Sequence, residues 1–110
     1  MPIDPSVKRV LAPIEAVDMR VAESFPPQYF LGVTSGLPNG CAKFDFYTVE
    51  RDGDTIEITV WNTMPADPRV VLCTMIYATV QHNVPLGSAF QSGRTYHLKV
   101  NDVTTRFVAQ

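Results

Sequence analysis

The sequence predicts an all-β fold, an antiparallel β-sandwich of six to seven strands. Apolar and polar residues alternate with a period of two along several short stretches. Turn residues recur roughly every 8–12 positions, as in sandwiches. No stretch carries the 3.6-residue spacing of a long helix. The 110 residues, 45% hydrophobic and 18% charged, suit one folded domain and not a disordered chain. Residues 1–11, with Pro2, Pro5 and the pair Lys8-Arg9, are expected to be an N-terminal arm or linker, and residues 12–110 the sandwich.

The first strand is expected at Ile14–Val21, with Val17, Met19 and Val21 on one side and Asp18 and Arg20 on the other. Pro26-Pro27 break it. Tyr29–Thr34 reads as the next strand, ended by Ser35-Gly36-Leu37-Pro38-Asn39-Gly40. Phe44 to Trp61 reads as a hairpin about Asp52-Gly53, where Gly53 supplies the positive φ of a tight turn. In that register Val49 faces Ile56, Tyr47 faces Ile58 and Asp45 faces Val60. The opposite face pairs Thr48 with Glu57, Phe46 with Thr59, and Phe44 with Trp61. Asp45 on an apolar face points to a β-bulge or a strand end.

Met64-Pro65-Ala66-Asp67-Pro68 reads as a loop. Val70–Val80, apolar on both faces, reads as a central strand, and Asn83–Ser88 as a crossing loop. Thr95–Val100 turns at Asn101-Asp102 into Val103–Val108, pairing Tyr96, Leu98 and Val100 with Phe107, Thr105 and Val103.

The stretch Phe90–Asn101, in which Gly93 precedes Tyr96 and an alternating strand, resembles the penultimate-strand region of immunoglobulin-like and fibronectin-III-like domains. The resemblance implies an immunoglobulin-like sandwich and a structural role for Tyr96, whose hydroxyl would bond back to the corner backbone. The whole chain also resembles small bacterial exported domains of this architecture.

Cys41 and Cys73 lack Cys-x-x-Cys spacing and a neighbouring His set for zinc. They are either buried free thiols of a cytosolic protein or one disulfide of an exported one. The disulfide is the expectation, and with it a secreted or cell-envelope location. No signal peptide stands at the start of this sequence.

Six Arg and three Lys, scattered among eleven acidic residues, give no nucleic-acid footprint. No apolar run reaches the roughly 20 residues of a membrane-spanning helix. Catalysis by Cys41 would need His82, read as a loop residue, or His97, read as solvated surface between Arg94 and Lys99, so a structural role for the cysteine is expected. Glu50, Asp52 and Asp54 lack the spacing of a calcium loop. Pro26-Pro27-Gln28-Tyr29 matches a WW-ligand pattern by chance. No catalytic residue, cofactor or metal is expected.

Two candidate surfaces follow. One is an aromatic face of Phe44, Phe46 and Trp61, since contiguous exposed aromatics mark interaction sites, unless the N-terminal arm or a neighbouring loop covers them or a bulge returns Phe44 to the core. The other is a pair of loops holding Leu37, Pro38, Asn39, Met64, Pro65 and Asp67. The expected function is a non-catalytic module binding a protein. A carbohydrate on the aromatic face is an alternative. So is peptidase inhibition through the loops in the manner of chagasin-like inhibitors, whose motifs are not matched.

Overall fold

A computed structural model describes residues 5–67, 69 and 71–110. Residues 1–4 of the expected arm, Pro68 of the expected loop and Val70 of the expected strand lie outside the described residues. The fold is an all-β sandwich in which the described residues form eight strands: β1 (Val7–Leu11), β2 (Ile14–Ala22), β3 (Gln28–Leu37), β4 (Lys43–Asp52), β5 (Thr55–Pro65), β6 (Ala78–Gly87), β7 (Thr95–Val100) and β8 (Val103–Val108). One sheet holds β2-β3-β6. The other runs β1-β5-β7-β8, with β4 on the free side of β5.

Two features depart from the expected antiparallel plan. Residues 7–11, read as part of an arm, form β1 and pair with the end of β5, Leu11 opposite Trp61. Strands β5 and β7 are parallel, Ile56 beside Leu98. Antiparallel β1 and parallel β7 therefore lie end to end along one edge of β5. Asn101, at a φ of 52°, fills the junction: its Oδ1 accepts from Val60 N and its Nδ2 donates to the carbonyls of Val60 and Ala12.

The two sheets bury alternate residues against each other. Leu31, Val33 and Val84 come from one sheet, and Ile56, Ile58, Val60, Leu98 and Val100 from the other. Each such side chain gains about 1.5–3 kcal/mol on leaving water. A second cluster packs Tyr29, Phe90, Tyr96 and Phe107, with the Arg51 guanidinium 4.5 Å from the Phe90 ring centre. The Tyr96 hydroxyl accepts from Gln91 N at 2.8 Å, and that of Tyr29 accepts from Gln110 N. Tyr29 is thus core, and no WW ligand.

The Thr95–Val108 hairpin has the register read from the sequence. The β4–β5 hairpin is slipped by two residues: Val49 faces Ile58 and Tyr47 faces Val60, because Gly53-Asp54 are the loop residues. Gly53, at φ 60°, holds the first loop position, where a type II′ turn needs glycine. A slip of two preserves which residues share a face.

The expected central strand Val70–Val80 is corrected. Residues 71–77 form no strand, and β6 starts at Ala78. The expected loop at 83–88 is instead mostly the second half of β6. Strand β6 is a sheet edge, the position where Pro85 is tolerated because its missing N–H faces no neighbour.

Candidate functional site

The aromatic face changes at one residue. A bulge between Phe44 and Phe46 leaves Asp45 as the extra residue, and its carboxylate accepts from Arg9 Nε at 2.7 Å. The bulge reverses the side-chain alternation, so Phe44 turns to the core side and packs on the His82 ring at 4.3 Å. Phe44 is therefore removed from the predicted face. Phe46 and Trp61 stay on the outer face, directly opposite each other, half-buried, with ring centres 6.4 Å apart and planes 24° apart. Arg9 lies over Phe46 at 5.1 Å.

His82 sits on β6 beside Val33 and not in a loop. Its Nε2 is 3.0 Å from Ser35 Oγ, and burial pushes its pKa down. At the hairpin tip, Arg94 binds the Asp54 carboxylate through two nitrogens and lowers its pKa. No group of three or more metal-binding side chains occurs among the described residues.

The predicted loops meet at one end. Leu37 closes β3 and Met64 and Pro65 close β5, so these three are strand residues and not loop. Pro38, Asn39, Met64 and Pro65 nonetheless line one cleft of about 370 Å³, together with β1 and Cys73. Asp67 stands apart, holding Arg69 through three bonds that lower its carboxyl pKa. Cys41 and Cys73 are bridged, Cα atoms 5.4 Å apart. The bridge pins residues 71–77 to the turn after β3. Gly40 N donates to Thr74 O there, and a Cβ on Gly40 would collide with the Thr74 hydroxyl. Tyr77 donates to Glu15, which raises the Tyr77 pKa.

Around these anchors the chain shows its apolar side chains to solvent. Leu72 is fully exposed, Met75 88% and Ile76 69%. Sequence reasoning missed this surface because it assigned the same residues to a buried strand.

The family model described as the ORF11 beta-sandwich domain matches residues 31–109, most of the chain. The chain belongs to that family. The matched span of this ORF11 domain runs from β3 through β8 and holds the disulfide and the whole 71–77 segment. Its sequence is 31% identical over 90 residues to an uncharacterised 10.2 kDa protein in the HgiCIIM 5′ region of Herpetosiphon aurantiacus, covering 82% of this chain and 92% of that protein. No solved structure matches the ORF11 domain described here. Its disulfide is compatible with an extracellular location, and no helix among the described residues is long and apolar enough to cross a membrane.

Proposed function

We propose that this ORF11 β-sandwich domain is a non-catalytic binding module, secreted or in the cell envelope, that engages a protein through the disulfide end of the sandwich. The carrying observation is the run of exposed Leu72, Met75 and Ile76 beside the cleft of Pro38, Asn39, Met64 and Pro65. Large apolar side chains exposed this close together mark interaction sites. Covering these three side chains gains about 1.5–3 kcal/mol each, before the costs of association. The disulfide supports an oxidising compartment. Since the bridge consumes both thiols, neither cysteine offers a thiolate, which supports a role without catalysis. The meeting of the 38–39 and 64–65 segments at one end is also the geometry a loop-inserting peptidase inhibitor needs, so a peptidase belongs among the partners to try.

The near-parallel Phe46 and Trp61 rings favour a second reading, a sugar-stacking platform on the outer face. Arg9 over Phe46 and the half-burial of both rings count against it.

The two surfaces separate by mutation. Leu72→Asp with Ile76→Asp, both at exposed positions, should leave the melting temperature unchanged and abolish partner capture from the native source. Phe46→Ala with Trp61→Ala should leave capture intact. Loss of capture with the second pair alone, accompanied by loss of oligosaccharide binding, would move the function to the aromatic face.

A further inference from the structure

We propose that residues 71–77 are an unpaired strand that pairs with the same segment of a second copy of this chain, in antiparallel register centred on Thr74. The inference rests on the reading that the disulfide end is the docking end, and it names the occupant.

The segment has the chemistry of a strand without a neighbour. Val71-Leu72-Cys73-Thr74-Met75-Ile76-Tyr77 is β-branched and apolar on both faces, the pattern of a strand covered on both sides. It runs directly into β6, whose pairing with β3 begins at Ala78 opposite Leu37. Upstream of Ala78, β3 has ended, so the sheet offers the segment no partner. Among the described residues, Thr74 O is the one backbone group of 71–77 held by a backbone partner, Gly40 N. The segment therefore displays apolar side chains and free backbone donors and acceptors together.

That combination selects the occupant. A bilayer would cover the side chains and leave the amides unsatisfied, at several kcal/mol for each group. An added strand satisfies both. A second copy supplies such a strand with matching needs. About Thr74, Leu72 falls opposite Ile76, Val71 opposite Tyr77 and Cys73 opposite Met75, so apolar meets apolar at each of these positions. No charged side chain lies between Arg69 and His82, so like charges do not oppose the pairing. The Gly40 bond fixes the edge as well. In a strand the N–H and C=O of one residue point to the same side, so Gly40 takes the Thr74 edge. The opposite edge, carrying the groups of Cys73 and Met75, is left free. Centring on Thr74 makes Thr74 a non-hydrogen-bonded pair and lets Cys73 exchange both bonds with the second copy's Met75. The contact is isologous and closes at two copies.

The test is the mass of the full chain in solution, by light scattering or sedimentation at increasing concentration. A concentration-dependent dimer is expected. Leu72→Lys or Ile76→Glu alone should weaken it about tenfold or more, since each introduces an unpaired charge into the contact. The double variant should recover most of that loss, because its ammonium falls opposite the other copy's carboxylate. All three should melt like the wild type, the positions being exposed. A monomer at every concentration overturns the proposal, as does a dimer indifferent to both single changes or a double variant no better than either. Co-sedimentation with phosphatidylglycerol vesicles, abolished by Ile76→Glu and kept by Leu72→Lys, also overturns it, in favour of a lipid surface. If the chain stays monomeric while Leu72→Asp with Ile76→Asp still abolishes partner capture, the docking end stands and only the second copy fails.

Discussion

Asn101 takes both backbone polar groups of Val60: its Oδ1 accepts from Val60 N at 2.9 Å and its Nδ2 donates to Val60 O at 3.0 Å. Val60 is fully buried at the place where β7 has ended and β1 has not begun. Without the amide, that stretch of β5 would hold an unpaired donor away from water.

Asn101→Ala is therefore expected to cost about 2–3 kcal/mol, the penalty of orphaning a buried donor, while alanine keeps a Cβ at positive φ without asparagine's tolerance of that region. Asn101→Gly keeps the φ and loses the amide, so it should cost less than the alanine change. Urea unfolding of the two variants checks the order.

The disulfide closes a sequence separation of 32 residues, which chain-entropy reasoning values at about 3–4 kcal/mol. Cys41→Ser with Cys73→Ser should lower the denaturation midpoint accordingly. In the wild type, thiol reagents should find no free cysteine until a reductant is added.

What could be read from the sequence was local. The Thr95–Val108 hairpin, the alternation in β2 and the positive φ at Gly53 were all legible because neighbouring residues decide them. Asp45 as a bulge residue was legible too, since a carboxylate on an apolar face demands an explanation. The consequence for Phe44 followed only once the bulge was placed. Residues 71–77 were misread because an apolar pattern reports what a strand would bury, and not whether a neighbour exists to bury it. Pro85 and Asn83 looked like a loop, although an edge strand accepts both. The role of Asn101 depends on partners 41 and 89 positions away. No local pattern reports those.

His82 gives the fold a pH dependence of definite sign. Burial holds its pKa below the ordinary 6.5, so the folded state disfavours the imidazolium. The unfolded chain takes up its proton first as pH falls. The stability this histidine contributes is present above pH 6.5 and is lost as pH drops from there through the lower folded value. His82→Phe should abolish that share of the decline, measured as the denaturation midpoint against pH.

Trp61 stands on the outer face opposite Phe46, half-buried. Trp61→Ala should cost about 1–2 kcal/mol, less than the roughly 3–5 kcal/mol of a fully buried tryptophan. Its emission should lie between buried and free indole, with partial access to acrylamide. A blue, unquenchable emission would place it in the core.

The decisive measurement is amide hydrogen exchange across residues 71–77, followed first in dilute protein and then as the occupied form builds up. In dilute protein these amides should exchange nearly as fast as in an unfolded peptide, while Ile56–Val60 stays protected. With rising concentration, or on addition of a captured protein, protection should appear in 71–77. Protection already as strong as in β6 in the dilute monomer would mean the chain covers this segment itself. Fast exchange that persists in every complex would place the docking surface elsewhere. Either result contradicts an apolar strand held out at the disulfide end to be paired.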